Sequence, residues 1–542
     1  MTSAPSQSPV RDLADRFWDW FLTTNPTFAT MLGDERFDDR LDDPSPEGRA
    51  AEVSDIHRFM GEAAGIDGSG LDTEERITLD MLQVVGRIRL RAHEHRLYQF
   101  EAIDQMAGPQ SLPSDLAPFQ RVDTPERFER LLTRLRAFPA HLAAHQANFQ
   151  EGVREGRTAA RPVYQRTITQ VRRAVDTPAD RSPLLGADKP LDDDQRATLR
   201  GVLEDVVRPA LVSYLAALEE ALPSARSGDG LWSLPDGEAV YRTLILASTT
   251  LEDDPQVFHD YGLEQIGLID AERLVIAQEL GFADVAALRA SLEEDPANRP
   301  ASRKALVELA REQIKRAEAV APTMFGRLPR AACEVRPVEA YQEAEAPPAF
   351  YFPPAPDGSR PGIYYINTYE PDSRRVHRLA STTYHEAVPG HHFQITIESE
   401  LEDMPDFRRY GARLTGAAYP EGWGLYSERL ADEMGLYVDA RERLGMLDAQ
   451  AWRAARLVVD TGIHAFRWDR QRAIDVLQEA AGLSQLEAAT ETDRYIAWPG
   501  QALSYMTGQR EISALRRQLE ERDGERFDLS AFHDEVLGHG SL

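Results

Sequence analysis

Cysteine is almost absent from this chain of 542 residues, and the single thiol belongs to Cys333. One thiol forms no internal disulfide, and it cannot build a zinc site made of thiolates. Any metal bound by this protein must therefore be held by nitrogen and oxygen ligands.

Positive charge is also scarce, because 61 basic side chains face 90 acidic ones and leave a formal net charge of −29. Nucleic acids and anionic membranes are bound through clustered Lys and Arg, so we expect neither as a partner. The chain also lacks a run of about 20 apolar residues that could span a membrane. The polar residues 1–11 show no secretory signal pattern, which predicts a cytoplasmic protein of undetermined oligomeric state.

Apolar residues recur three and four positions apart over most of the chain, and 42% of all residues are hydrophobic. This period is typical of amphipathic helices that cover a sizeable core. The clearest predicted helices are residues 10–23, 74–99, 125–152, 193–221, 260–280 and 303–319.

The helical period stops between residues 331 and 370. Aromatic and β-branched residues between Pro and Gly predict short strands there, at residues 333–338, 349–352 and 362–368. We therefore expect a mainly α protein with a small sheet. We treat residues 1–542 as one unit, with a helical scaffold over 1–330, the sheet over 331–370 and a second helical region over 371–542.

A cluster of histidines follows the predicted sheet, in the sequence HEAVPGHH at residues 385–392. Zinc peptidases often carry His-Glu-x-x-His on a helix, with the Glu beside the metal-bound water. Here Pro389 takes the place of the second His. A bulge or kink at Val388–Gly390 would turn His391 back towards His385, which makes His391 the preferred second ligand and His392 the reserve.

A third protein ligand is expected because catalytic zinc usually has three. Glu421 and Glu428 follow within the sequence EGWGLYSE, and either could reach the metal. We favour Glu421 as the ligand and assign Glu428 to the orientation of a ligand histidine. The sequence thus predicts one Zn²⁺ per chain, held by His385, His391 and Glu421, with Glu386 as general base. Mn²⁺ or Co²⁺ would suit the same ligands.

A second histidine pair, His141 and His145, has the i, i+4 spacing that suits a metal on a straight helix. Leu142 stands where a catalytic Glu would follow the first His. We therefore expect this pair to belong to the scaffold.

With these residues in view, the chain resembles the bacterial family catalogued as domain of unknown function 885 over nearly its whole length. The resemblance rests on NPTFATMLGD at 25–34, YINT at 365–368, HEAVPGHHFQ at 385–394, EGWGLY at 421–426, DTGIH at 460–464 and PGQALSY at 499–505. More distantly, the site is similar to that of zinc peptidases with two His and one Glu ligand. Their Glu-Gly-Phe-Ala segment resembles residues 421–424.

The resemblance to thimet oligopeptidase and neurolysin implies two helical lobes around a deep channel. Related peptidases stabilise the oxyanion with Tyr and His, which implies that role for Tyr505 and His464. Asp460, one helical turn before His464, would orient it.

Substrate contacts are expected from the strand at residues 362–368, which could pair with an extended peptide. Asn367 and Tyr365 belong to this strand, and His392 is a further candidate.

Together these features predict zinc-dependent hydrolysis of short peptides. Two alternatives remain open: hydrolysis of a non-peptide amide or ester by the same groups, and a non-catalytic peptide-binding scaffold with a relic metal site.

Overall fold

A computed structural model describes residues 8–339, 343, 346–355, 358 and 360–541. Within them the chain is mainly α-helical with one small sheet, which confirms the predicted fold class. The α-helices of the first half are α1 (Pro9–Thr24), α2 (Pro26–Met31), α3 (Pro46–Ala64), α4 (Thr73–Glu94), α5 (Tyr98–Glu101), α6 (Leu112–Leu116), α7 (Pro125–Glu155), α8 (Arg161–Asp176), α9 (Asp193–Val202), α10 (Arg208–Ala221), α11 (Gly237–Thr249) and α12 (Pro255–Glu279).

The α-helices of the second half are α13 (Val285–Glu294), α14 (Arg303–Val320), α15 (Val376–Glu386), α16 (His391–Ser399), α17 (Asp406–Gly411), α18 (Ala418–Glu433), α19 (Ala440–His464), α20 (Arg470–Ala481), α21 (Gln485–Ala497), α22 (Ser504–Asp523) and α23 (Leu529–Gly538). Each of the six helical segments predicted from periodicity corresponds to an observed helix or pair of helices. The longest predicted segment, 193–221, is α9 and α10 joined by a π-helical turn at Leu203–Val207.

Local sequence explains where many helices begin. In α7, Pro125 occupies the first turn and the Thr124 hydroxyl accepts a hydrogen bond from the Arg127 backbone N–H. Proline suits this position because the first turn needs no intrahelical N–H donor. In α4, Asp72 and Glu75 form a reciprocal capping box, which satisfies two backbone donors.

The sheet has three strands in the order β1-β3-β2: β1 (Cys333–Pro337), β2 (Ala349–Phe352) and β3 (Gly362–Ile366). β3 is central, paired in parallel with β1 and antiparallel with β2. The three predicted strands are therefore present. However, β3 already has a neighbour on each side, so residues 362–366 have no open edge for an added peptide strand.

The described residues form two compact units. Unit 1 comprises Met1–Thr243, Ile463–Arg470 and Thr490–Pro499, and unit 2 comprises Leu244–Gly462, Gln471–Ala489 and Gly500–Leu542. The borders predicted at residues 330 and 370 are not tested by this division. The sheet and the histidine cluster at 385–392 both belong to unit 2.

Inside unit 2, helices α18 and α22 approach each other closely at a pair of glycines. A Cβ added to Gly422 would lie 2.4 Å from the Gly508 backbone, and one added to Gly508 would lie 1.8 Å from the Ala418 carbonyl oxygen. Any larger residue at either position would force the two helices apart, so these glycines fix where α18 lies.

Candidate metal centre

The histidine cluster lies where one helix ends and the next begins. α15 ends at Glu386, and α16 begins at His391 after a four-residue turn. The break expected at Pro389 and Gly390 is therefore present. It brings the imidazole rings of His385 and His391 to a centroid distance of 4.8 Å, at an interplanar angle of 83°.

Helix α18 holds this turn in place. The Trp423 indole N–H and the Ser427 hydroxyl both donate to the carbonyl oxygen of Pro389, at 2.9 and 3.3 Å. The ring of His385 lies directly against Gly424, where an added Cβ would come within 2.7 Å of the ring. The sequence EGWG thus serves three purposes: Glu421 faces the histidines, Trp423 anchors the turn, and Gly424 leaves room for His385.

Glu421 contacts both histidines. Its Oε2 lies 3.3 Å from Nε2 of His385 and 3.6 Å from Nε2 of His391. Ligand bonds of 2.0–2.2 Å in tetrahedral geometry place zinc ligands about 3.3–3.5 Å apart. The two measured distances fit that separation, and the donor set of two imidazoles and one carboxylate suits Zn²⁺. The residues present therefore fit the metal that the sequence predicts.

Glu386 lies beside this group. One of its carboxylate oxygens and one ring nitrogen each of His385 and His391 lie within 4.8 Å of one another. Burial raises the pKa of Glu386 above its ordinary value. A carboxylate near the metal with a raised pKa is suited to accept and return a proton.

The charges of the cluster are strongly coupled. Burial alone would lower the pKa of His385, but hydrogen bonds to Glu421 and Glu428 raise it to about 9. Burial alone would raise the pKa of Glu421, yet its hydrogen bonds to His385 and His391 hold it well below the ordinary value. In the absence of metal, a proton shared with His385 therefore compensates the buried carboxylates.

Glu428 takes the position expected of a residue that orients a ligand. Its Oε1 lies 2.8 Å from Nδ1 of His385, on the far side of the ring from Glu421. Its Oε2 accepts hydrogen bonds from the Ser381 hydroxyl and the Gln450 amide. Metal-binding histidines usually donate their second ring N–H to such a carboxylate. Nδ1 of His391, by contrast, is buried without a hydrogen-bond partner among the described residues.

Two of the residues predicted to bind substrate form hydrogen bonds within the protein. Nδ1 of His392 is hydrogen-bonded to the Tyr351 hydroxyl at 2.9 Å, and burial lowers its pKa to about 4. The Asn367 amide donates to the carbonyl oxygens of Glu343 and Ala346, and its own oxygen accepts from the Tyr369 N–H. These contacts stabilise the local structure, and the substrate-binding role of His392 and Asn367 stays a prediction.

Tyr365 lies on β3, where its ring stacks on Phe350 at 4.9 Å. This contact gives Tyr365 a packing role between two strands.

The structure gives His464 a role unlike the predicted one. Its Nδ1 accepts the Leu231 N–H at 3.2 Å and its Nε2 donates to the Tyr495 carbonyl oxygen at 3.0 Å, all within unit 1. Burial lowers its pKa to about 3, so the ring is neutral. Since both ring nitrogens are occupied, His464 has no N–H left for an oxyanion. Asp460 accepts from the Gly500 N–H at 3.0 Å.

Tyr505 lies in unit 2, with its ring 4.2 Å from the guanidinium of Arg456 and 5.9 Å from that of Arg453. Arg453 is near enough to Glu386 to lower its pKa. Tyr505 therefore lies next to an arginine that acts electrostatically on the predicted base.

A cavity of about 210 Å³ in unit 2 was not predicted. Arg378 and Thr382 line it from α15, and Arg453 lines it from α19. Arg378, Thr382 and Glu386 are four residues apart and share one face of α15. The sequence shows this four-residue spacing, but it becomes informative only when positions are counted back from Glu386.

The second histidine pair has no side-chain hydrogen bond to a carboxylate among the described residues, although Asp42 and Asp43 act electrostatically on His141. His141 and His145 lie on α7 with ring centroids 4.6 Å apart, and Nδ1 of His141 is hydrogen-bonded to the Asp42 carbonyl oxygen. Burial lowers the pKa of both histidines, that of His145 to about 3.

Comparison with known proteins gives the relationship of the chain. The family model described as "Bacterial protein of unknown function (DUF885)" matches residues 26–542. The chain belongs to the DUF885 family. The sequence resemblance to domain of unknown function 885 is therefore confirmed, and none of the curated proteins matches the sequence.

Two solved structures resemble this DUF885 protein along its length. One, described as the putative lipoprotein from Colwellia psychrerythraea, has a TM-score of 0.90 and 28% identity, and the match covers 98% of this chain and 96% of that one. The other, described as a putative lipoprotein of unknown function from Shewanella oneidensis, has a TM-score of 0.79 and 19% identity, with 99% and 98% covered. The second likeness shows the fold alone.

These neighbours contradict the predicted cytoplasmic location, because a lipoprotein is held at a membrane by covalently attached lipid. The prediction rested on the lack of a recognisable signal pattern, and it was wrong. In the described part of this DUF885 protein, no helix has the length and apolar character needed to traverse a bilayer.

Proposed function

We propose that this DUF885 protein is a zinc-dependent peptidase that hydrolyses short peptides. The observation that carries the proposal is the convergence of Nε2 of His385, Nε2 of His391 and Oε2 of Glu421 at 3.3 and 3.6 Å, beside Glu386. His385, His391 and Glu421 would hold the ion, and Glu428 would fix the His385 ring.

A bound zinc ion would lower the pKa of a coordinated water towards ~7 and polarise the carbonyl of the substrate. Glu386 takes a proton from the attacking water and later delivers it to the leaving amine. Its burial raises its pKa above the ordinary value, which favours accepting and returning a proton. Glu428 keeps the His385 ring in one orientation throughout.

Tyr505 is the candidate donor to the oxyanion. Its position beside Arg453 and Arg456 supports a role near the reacting carbonyl. A channel between helical lobes, which would restrict the enzyme to short peptides, remains a prediction from the resemblance to thimet oligopeptidase.

The test compares purified wild-type protein with Glu386→Gln, measuring zinc by mass spectrometry and cleavage with a mixed peptide library. We expect about one zinc per chain in both proteins. Cleavage should fall by about 10²–10⁴-fold in the variant, the usual contribution of a general base.

Wild-type protein that takes up no zinc would overturn the proposal. Zinc without peptide cleavage would favour the two alternatives. A panel of non-peptide amides and esters would then separate another hydrolase from a scaffold that only binds peptides.

A further inference from the structure

The cavity next to the candidate metal centre is rich in arginine, in a chain whose net charge is −29. Its lining includes four arginines and two acidic residues, namely Arg374, Arg375, Arg378, Arg453, Asp448 and Glu487. Such a local excess of positive charge requires an explanation, because arginines that line a concave site usually bind carboxylate or phosphate groups.

Two of these charges are compensated within the protein. Arg375 forms an ion pair with Glu293. Oδ1 of Asp448 lies 2.8 Å from Arg273 and 2.6 Å from Arg289, neither of which lines the cavity. The Asp448 carboxylate therefore adds little negative charge to the cavity.

None of the other three arginines forms an ion pair shorter than 3.8 Å among the described residues, although Glu487 and Glu370 act electrostatically on Arg374. Nε of Arg374, Arg378 and Arg453 is buried without a hydrogen-bond partner among the described residues. Arg378 approaches Asp448 only to 3.8 Å, and Arg453 donates only a long 3.4 Å bond to the Ala449 carbonyl oxygen. All three side chains are partly exposed, with Arg378 at 35%, so their guanidinium groups are open to a ligand. An incoming anion would supply the acceptors that these groups lack.

The cavity lies one helical turn from the predicted catalytic base, because Thr382 lines it and precedes Glu386 by four residues on α15. Arg453 lines it and also acts on Glu386 and Glu428. Arg378 and Thr382 precede Glu386 by two turns and one turn of α15, so Arg378 lies about 12 Å along the helix from Glu386. An extended peptide covers that length with about three to four residues.

We propose that this cavity is a substrate subsite in which Arg374, Arg378 and Arg453 bind a carboxylate of the peptide. The proposal rests on the peptidase function proposed above. The carboxylate is either the C-terminal group of a short peptide or an acidic side chain within about three residues of the bond that is cleaved.

The test compares three matched peptides: a neutral sequence with a free C-terminal carboxylate, the same sequence as C-terminal amide, and the amide with one residue replaced by Asp. Wild-type enzyme should cleave the free acid or the Asp peptide with a KM at least about tenfold below that of the neutral amide, as expected for a charge-assisted hydrogen bond. Preference for the free acid alone identifies the C-terminal group, and preference for the Asp peptide identifies a side chain.

The variants are Arg374→Gln, Arg378→Gln and Arg453→Gln, with Arg441→Gln as the control. Arg441 lies on the same unit, pairs with Asp295 and does not line the cavity, so its loss changes net charge equally. We expect Arg374→Gln and Arg378→Gln to raise the KM of the preferred peptide by about tenfold while cleavage of the neutral amide is unaffected. Arg453→Gln should raise the same KM and should also change cleavage of the neutral amide, because Arg453 acts on Glu386. Arg374→Gln is the decisive variant, because the Arg374 side chain has no hydrogen bond to lose among the described residues.

Binding of the same peptides to Glu386→Gln, measured by calorimetry, separates this proposal from the function on which it rests. A carboxylate preference in binding without any cleavage by wild type would support the subsite and reject the peptidase. Cleavage with equal KM for all three peptides, unchanged in the cavity variants, would overturn the subsite and leave the peptidase intact. Equal or undetectable binding of all three peptides would also overturn the subsite.

Discussion

Two histidine pairs in this chain have nearly the same ring geometry and opposite electrostatic surroundings. The rings of His141 and His145 lie 4.6 Å apart at 74°, and those of His385 and His391 lie 4.8 Å apart at 83°. Burial lowers the pKa of His145 to about 3, whereas carboxylates raise that of His385 to about 9 against the effect of burial.

The comparison teaches that ring spacing alone does not define a metal centre. The first pair has the ideal i, i+4 spacing on a helix, and the second requires a broken helix. Only the second has Glu386, Glu421 and Glu428 around it. Carboxylates that compensate the charge of a cation are therefore the better criterion for the site.

The largest expected difference between the pairs is in zinc binding. His391→Ala removes a ligand and should abolish stoichiometric zinc, while His145→Ala should leave zinc content and peptide cleavage unchanged. Zinc content by mass spectrometry and thermal unfolding of both variants provide the measurement. Retention of zinc by His391→Ala in a folded protein would move the site elsewhere.

A smaller effect is expected for the residue behind the ligand. Glu428→Gln keeps the shape of the side chain but weakens the hydrogen bond that orients His385. Zinc affinity should fall by about 10–100-fold, the usual cost of losing such a partner. Competition with a chelator measures this, and cleavage at saturating zinc should largely recover. An unchanged affinity would show that Glu428 does not support the ligand.

The pH dependence of zinc binding should be next in size. Zinc has to displace the proton from His385, whose pKa is about 9 without metal, so affinity should rise by about tenfold per pH unit between pH 6 and 8. In Glu428→Gln one of the carboxylates that raise the pKa of His385 is lost, so this pKa should fall. The increase of zinc affinity with pH should then flatten at the upper end of that range. A slope near zero in the wild type would contradict the coupled charges described for the cluster.

The smallest expected effect is on folding stability, and it involves His145 of the pair His141 and His145. The pKa of His145 is lowered to about 3 in the folded state, while in the unfolded state it is near ~6.5. The unfolded chain therefore binds an extra proton below pH 6.5, and folding stability falls as pH decreases.

Replacing the residue, in His145→Leu, should remove about 2 kcal/mol of this loss at pH 5 relative to pH 7. Urea unfolding at both pH values measures the difference. An equal loss in variant and wild type would show that His145 is not buried in its neutral form.

Local patterns predicted the mainly α fold, its small sheet and the break in the helix before His391. The strand at residues 349–352 and the start of α7 at Pro125 agree with expectation because strands and caps depend on neighbouring residues. The kink before His391 was also predictable, because Pro389 and Gly390 alter the backbone at their own positions.

Long-range relationships were not predictable in the same way. His464 lies one turn after Asp460 in a helical sequence, yet its partners, Leu231 and Tyr495, are remote in the chain. Periodicity gives a helix face but does not say what covers it. For the same reason the sequence did not predict the cavity, where Arg374 and Arg453 come together from separate elements.

Helix α18 has a consequence for how the centre arises during folding. It supplies Glu421, holds the turn before His391 through Trp423, and receives the His385 ring at Gly424. Its own position depends on the contact of Gly422 with Gly508. A partly folded chain with loosely packed helices would have the same residues but no converged ligands. Tight metal binding would therefore require the fully packed state. Its appearance during folding would show that packing of these helices is complete.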